Sequence, residues 1–89
     1  MIFRTNRDRL KAGLTLTENL HGGDLIILTN NGYTIRVTSI DAHTVRIYAY
    51  GYHTYEYFYN FENWEDLINE LVAFISEELG GAEIQECGL

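Results

Sequence analysis

Residues 33–59 read YTIRVTSIDAHTVRIYAYGYHTYEYFY, and this stretch decides the fold. Apolar and polar side chains alternate with period two over 33–40, 44–50 and 54–59, which is typical of half-buried β-strands. The breaks between these runs are short, and short connections between strands join antiparallel neighbours. The stretch therefore predicts three consecutive antiparallel strands.

A fourth strand is predicted just before this stretch, near 24–29. The apolar run Leu25-Ile26-Ile27-Leu28 is followed by Asn30-Asn31-Gly32. Asn and Gly tolerate the positive φ angles of tight hairpin turns, so this tripeptide favours a β-hairpin into the next strand. The four strands then form a sequential meander.

After residue 60 the apolar spacing changes to the period of a helix, and we predict a helix near 61–79. Asn60 or Asn63 can cap its start, and Gly80-Gly81 ends it. Its polar face carries the acidic residues Glu62, Asp66, Glu70 and Glu77. Its apolar stripe consists of Trp64, Leu67, Ile68, Leu71, Val72, Phe74, Ile75 and Leu79.

These elements predict one α+β domain over 1–89, a four-stranded antiparallel β-meander packed against one C-terminal amphipathic α-helix. A short N-terminal helix over 7–11, capped by Thr5 or Asn6 and ended by Gly13, is compatible with the sequence. Residues 83–85 are compatible with an edge strand or with a loose tail. The residues expected to be buried together are Ile35, Val37, Val45, Ile47, Leu67, Leu71 and Ile75.

Charge is distributed unevenly along the chain, whose net charge is −7. The segment from Glu56 to Glu86 contains nine acidic residues and no Lys or Arg, whereas four of the six basic residues lie between Arg4 and Lys11. Such a balance disfavours direct binding of nucleic acid or of anionic membranes, and it suits a basic protein partner. The sequence has no apolar run of the ~20 residues that span a bilayer, so we expect a cytoplasmic protein.

No pattern of reactive residues predicts catalysis, a cofactor or a metal site. His21-Gly22-Gly23-Asp24 lacks the serine motif that accompanies an oxyanion turn in esterases. Asp41 and His43 lie in a turn, where an Asx turn explains the pair without a metal. Cys87 has no nearby cation to lower its pKa, and we expect an ordinary thiol. We therefore expect a non-enzymatic protein without a cofactor.

All seven tyrosines lie between residues 33 and 59. A sheet covered by one helix leaves its other face open, and tyrosine offers both the large area and the polar tip of an interface anchor. Tyrosine also simply suits β-strands, which is the alternative interpretation. The predicted partner-binding residues are the acids Glu56, Glu62, Asp66 and Glu70 and the anchors Tyr48, Tyr50, Tyr55 and Tyr57.

In its size, acidic C-terminal third and tyrosine-rich sheet, the chain resembles small phage-encoded anti-CRISPR inhibitor proteins. The resemblance implies that the chain binds the basic nucleic-acid channels of CRISPR effectors or blocks their assembly, in the host cytoplasm. Where it mimics DNA, carboxylates would stand in for phosphates. The basic segment from Arg4 to Lys11 departs from a uniformly acidic mimic, and we expect it to pair with the acidic helix of its own chain or of a second copy. Two alternatives remain: an immunity protein or antitoxin that neutralises a nuclease, and a homodimeric structural or regulatory subunit.

Overall fold

A computed structural model describes residues 5–17 and 24–88 of the chain. The expected loop at His21-Gly22-Gly23 and the basic residue Arg4 lie outside these residues. The fold is α+β, as predicted, with an antiparallel sheet and helices packed on one of its faces. In chain order the elements are α1 (Asn6–Thr17), β1 (Asp24–Thr29), β2 (Thr34–Asp41), β3 (Thr44–Tyr50), β4 (Thr54–Asn60), α2 (Trp64–Glu77) and β5 (Ile84–Gly88).

The sheet has five strands in the order β4-β3-β2-β1-β5, and every neighbouring pair is antiparallel. The prediction of four strands is thus wrong by one, because β5 adds to β1 at the end opposite β4. Asn6 on α1 holds β5 in place: its side chain donates to the carbonyl of Ala82 and accepts from the amide of Ile84, both at 2.9 Å. Of the two alternatives for residues 83–85, the structure has the edge strand, over Ile84–Gly88. These bonds join residues that are distant in the sequence, so local pattern could not decide between the strand and a loose tail.

The N-terminal helix is longer than the short helix that the sequence suggested. Thr5 caps it, since its hydroxyl accepts from the Asp8 amide at 3.1 Å. The helix does not end at Gly13 but runs through it to Thr17. Gly13 is buried against Cys87 of β5, where an added Cβ would overlap Sγ and lie 3.2 Å from the Cys87 carbonyl oxygen. The glycine therefore permits close packing of α1 on the sheet.

The C-terminal helix α2 begins and ends inside the predicted limits of 61–79. Asn63 is its N-cap, and the Asn63 side chain accepts from the Asp66 amide at 2.9 Å. Phe61 precedes the helix because its amide donates to the His43 carbonyl at 2.8 Å, which extends the β3–β4 pairing. Beyond the helix, Gly80 and Gly81 have φ angles of 71° and 74°, which glycine adopts without strain.

All seven residues predicted to share the core are buried in one cluster, which confirms that prediction. The cluster also includes Leu10 and Leu14 of α1, so both helices cover the same face of the sheet. The other face, here called the open face, carries side chains such as Arg46, Tyr48 and Phe58. Neither helix in the described ranges is long and apolar enough to cross a bilayer.

A salt bridge links the basic N-terminal segment to the acidic helix of the same chain. Arg7 of α1 donates to Glu65 of α2 at 3.0 Å, and both side chains are well exposed. This contact confirms for Arg7 the expected pairing within one chain. Exposed pairs stabilise by only about 0.2–1 kcal/mol, so its main effect is to neutralise one acid near the start of α2.

Candidate functional site

The site centres on β4, the strand at one end of the sheet. Its pairing with β3 is regular and runs without a register shift from Thr44↔Asn60 to Tyr50↔Thr54. Bonds at both ends fix the phase of the ladder: the amide of Gly51 donates to the His53 carbonyl, and the amide of Phe61 to the His43 carbonyl. Hydrogen-bonded pairs alternate along an antiparallel ladder, so the residues of β4 that bond to β3 are Tyr55, Tyr57 and Tyr59.

The same alternation leaves the main-chain amides and carbonyls of Thr54, Glu56, Phe58 and Asn60 pointing away from β3. Within 5–17 and 24–88, β4 has a strand neighbour on one side only. Its outer edge is therefore a row of main-chain donors and acceptors that the sheet does not use.

The tyrosines of β4 face α2. The hydroxyl of Tyr57 donates to Glu70 and that of Tyr59 to Asp66, each at 2.7 Å. The ring of Tyr57 also packs on Phe74, with centroids 5.5 Å apart. These bonds hold two helix carboxylates in fixed positions beside the edge of the strand.

The electrostatics of these pairs follow from the geometry. Burial raises the pKa of Tyr57 strongly, and its hydrogen bond to Glu70 raises it further. The hydrogen bond to Asp66 raises the pKa of Tyr59 to about 12, with partial burial as the second cause. In turn the Tyr59 hydroxyl, followed by the Glu62 amide, lowers the pKa of Asp66. At neutral pH these tyrosines are therefore protonated donors, and Asp66 is a carboxylate.

Acidic side chains continue along the turns of α2 on the side next to β4. Asp66 and Glu70 lie one helical turn apart, at a spacing of about 6 Å. Glu62 lies just before the helix, where its amide donates to Asp66, and Glu77 lies two turns after Glu70, at a groove between β4 and α2. The flanking members of the series are exposed, and the two central ones are half-buried by the tyrosines. We call this series the acidic row; it consists of Glu62, Asp66, Glu70 and Glu77.

A groove of 340 Å³ lies between β4 and α2. It combines aromatic surface with carboxylates, a combination that suits a side chain with an apolar stem and a cationic head. It contains no His or Cys, and no group of three or more His, Cys, Asp or Glu in the described ranges is arranged to hold a metal. We call it the β4 groove; it is lined by Tyr55, Tyr57 and Phe74 together with Glu70, Glu77 and Glu78.

On the open face, β4 presents Glu56 and Phe58 beside β3. Glu56 forms a salt bridge with Arg46, and the Arg46 guanidinium lies 5.1 Å from the centre of the Tyr48 ring. Tyr48 in turn packs against Tyr50, with ring centroids 5.5 Å apart. Phe58 exposes 64% of its surface, more than the other exposed large apolar side chains of the described strands, Ile40 at 52% and Tyr50 at 41%.

The structure divides the predicted partner-binding residues into two groups. Tyr48 and Tyr50 lie on the open face, as expected where the other phase of β3 is buried, and Glu56 lies there as well. Glu62, Asp66 and Glu70 lie on the other side of β4. The sequence does not decide which face of the sheet carries Tyr55 and Tyr57; in the structure both are half-buried against α2 and line the β4 groove, so their role as anchors stays a prediction.

Sequence reasoning did not select Phe58 and Tyr59. In the run Tyr-Glu-Tyr-Phe-Tyr, large aromatic residues occur in both phases of the alternation, so hydrophobicity cannot tell which phase is covered. One signal was available: the single charged residue of the strand, Glu56, shares its phase with Phe58. This shared phase indicates that Phe58 faces solvent.

The other candidates for chemistry have structural explanations. The Asp41 carboxylate accepts from the His43 amide at 2.9 Å, which is the expected Asx turn, and this bond lowers the pKa of Asp41. Burial raises the pKa of the Cys87 thiol to about 11, so the expectation of an unactivated thiol agrees with its surroundings.

Compared with protein-family models, with curated proteins and with solved structures, the chain matches none of them. What it does must therefore be argued from the site itself.

Proposed function

We propose that the chain is a non-enzymatic, protein-binding inhibitor of phage origin that acts on a basic, nucleic-acid-handling effector such as a CRISPR complex. The observation that carries the proposal is the acidic row beside the β4 groove. No Lys or Arg follows Arg46 in the sequence, so neither β4 nor α2 contributes a basic side chain, and Arg7 of α1 meets α2 at Glu65, outside the acidic row.

Fixed carboxylates favour recognition over mere solubility. An acidic surface that only keeps a protein dissolved needs no particular geometry. Here Tyr57 and Tyr59 hold Glu70 and Asp66 in place, so a cationic partner meets charges that are already positioned. Preorganised groups lose less conformational entropy on binding, which strengthens the complex.

Inhibition follows from competition for a basic surface. A nucleic-acid effector holds its substrate through a channel of Lys and Arg side chains. A domain that presents several carboxylates at helical spacing can occupy part of such a channel and exclude the phosphates. The acids would raise the association rate, and apolar contacts in and around the β4 groove would slow dissociation.

The proposal is tested by adding the purified protein to a panel of CRISPR effector complexes and measuring DNA cleavage. We expect at least one complex to be inhibited, and we expect added salt to weaken its binding steeply. The double variant Glu62→Lys, Glu77→Lys should weaken that binding by about tenfold or more, because each reversal places a repulsive charge at the contact. Both positions are exposed, so the fold should be retained.

The matched control is the double variant Glu83→Lys, Glu86→Lys. It makes the same change in net charge at exposed positions in or next to β5, at the end of the sheet opposite β4. The proposal is wrong if no complex in the panel is inhibited, or if both double variants lose affinity equally. The same pair of variants, assayed against basic nucleases, tests the alternative of an immunity protein or antitoxin.

A second candidate function is a homodimeric subunit, and the exposure of Phe58 and Tyr50 on the open face favours it. The exposed fractions are 64% for Phe58 and 41% for Tyr50, and aromatic side chains of this kind are enriched in interfaces. A dimer through this face would bury them without using the acidic row. The mass of the protein in solution distinguishes this homodimer from a monomeric inhibitor.

A further inference from the structure

We infer that the outer edge of β4 binds an extended, basic segment of the partner by strand addition, which continues the sheet by one strand. The inference rests on the proposed function for the charge of the partner and adds the mode of binding. Strand addition uses main-chain hydrogen bonds for affinity and alternate side chains for specificity.

The first support is the set of main-chain groups that β4 leaves unused. By the phase of the β3–β4 ladder, the amides and carbonyls of Thr54, Glu56, Phe58 and Asn60 point outward. They lie on a strand of seven residues with a regular register, which is long enough to pair with a peptide of similar length.

The second support is that this edge lacks the usual protection against pairing. Proteins blunt exposed edges with proline, lysine, bulges or very short strands. The chain has no proline, β4 has no lysine, and its register with β3 contains no shift. The single charge of β4, Glu56, is neutralised by Arg46. The opposite edge differs, since β5 has only five residues and its register with β1 is shifted.

The surroundings of the edge specify the side chains of the occupant. A strand added beside β4 places its paired residues on the open face, where one of them would cover the exposed ring of Phe58. Its intervening residues would project toward the β4 groove and the acidic row. The occupant is therefore an extended segment in which apolar residues alternate with Lys or Arg.

Charge excludes a second copy of this chain as the preferred occupant. Pairing two β4 edges would bring two acidic rows together. Like charges placed directly across an interface are destabilising. A basic segment removes this repulsion and supplies counter-charges to Glu70 and Glu77.

The probe is a synthetic peptide of alternating lysine and valine, about eight residues long to match the strand. Titration into the labelled protein should shift the amide resonances of Thr54, Glu56, Phe58 and Asn60 more than those of β5. Two further peptides carry N-methyl groups on the valines or on the lysines, at equal charge. In the inferred register the valine amides bond to β4, whereas the lysine amides point to solvent.

We expect valine methylation to weaken binding by about tenfold or more and lysine methylation to change it little, since only the former removes main-chain hydrogen bonds. Equal binding of all three peptides would show attraction by charge alone and would overturn strand addition. The absence of binding by the unmodified peptide would overturn it as well. In both cases the charge-reversal test still decides the proposed function.

A pair of protein variants tests the same inference from the other side. Phe58→Pro removes an outward amide that the β3–β4 ladder does not use, and Phe58→Ala removes the ring while keeping the amide. We expect the proline variant to bind the peptide several-fold more weakly than the alanine variant. Equal affinities in two variants with native circular dichroism would contradict the inference. If Phe58→Pro fails to fold, Thr54→Pro against Thr54→Ala makes the same comparison at another outward amide.

Discussion

Single side chains show why the sequence could not assign the tyrosines of β4 to one face of the sheet. Alternation correctly places Tyr55, Tyr57 and Tyr59 in one phase, but it does not say which phase the helix covers. That depends on where α2 crosses the sheet, which is a matter of tertiary packing. Once they are covered, their hydroxyls need acceptors, because a buried hydroxyl without a partner is unfavourable. The carboxylates of α2 supply those acceptors for Tyr57 and Tyr59.

The Tyr59–Asp66 bond predicts a dependence of stability on pH. The pKa of Tyr59 is about 12 in the folded chain and about 10 in the unfolded chain, so the folded state retains a proton that the unfolded state releases between these values. Its contribution to stability is therefore complete below pH 10 and is lost as the pH rises toward 12. Tyr59→Phe should flatten this part of the fall in the free energy of unfolding.

The same bond acts in the opposite direction in acid. The pKa of Asp66 is lowered in the folded chain, so its contribution is present above the ordinary aspartate pKa and is lost as the pH falls through the folded value. Urea unfolding at pH 3–5 and pH 9–12 measures both limbs. Tyr52→Phe is the control, since Tyr52 is 88% exposed. A Tyr59→Phe variant with slopes identical to those of the parent on both limbs would refute the assignment.

The positions of helices and strands could be predicted where the periodicity of their own residues determines the structure. The period of two in β2 and β3 and the apolar stripe of α2 are strong local signals, and the strands lie within one residue of their predicted limits. The two elements that the sequence left undecided, α1 in its length and β5 in its existence, depend on each other. Gly13 fits against Cys87, and Asn6 bonds to Ala82 and Ile84. Glycine often ends a helix, but Gly13 lies inside α1 and allows the helix to pack closely on β5. This role can be seen only once the position of β5 is known.

The docking of α2 on the sheet predicts the effect of truncating its centre. Leu71 is fully buried in the common core, so Leu71→Ala should lower the free energy of unfolding by about 2–5 kcal/mol through lost burial and a residual cavity. Domains of this kind have about 5–15 kcal/mol in total, so the loss is large. Val72→Ala, at a half-buried position of the same helix, should have a smaller effect. Chemical denaturation measures both, and equal midpoints would contradict the packing.

The charge of the chain as a whole was readable from its sequence, but the position of that charge was not. The run without Lys or Arg predicts an acidic region, and the helical period predicts a row of acids on α2. That this row lies beside an unpaired edge follows only from the strand order, in which β5 joins β1 and leaves β4 at the end. Local sequence could not fix that order, because both ends of the meander were equally available to a fifth strand.

This arrangement predicts that the isolated protein is a monomer. Edge-to-edge pairing would place two acidic rows together, and two chains of net charge −7 repel each other most strongly at low salt. Sedimentation equilibrium should therefore give the mass of one chain at about 10 mM salt, where charges interact over about 30 Å. At about 1 M salt that range falls to about 3 Å, so the same measurement then tests whether the edge pairs with itself once the repulsion is screened. A dimer at both salt concentrations that is abolished by Tyr50→Ala with Phe58→Ala would instead support the homodimer through the open face. A dimer that appears only at high salt and is removed by Thr54→Pro would show that β4 pairs with itself once repulsion is screened, and a second copy would then replace the basic segment as its occupant.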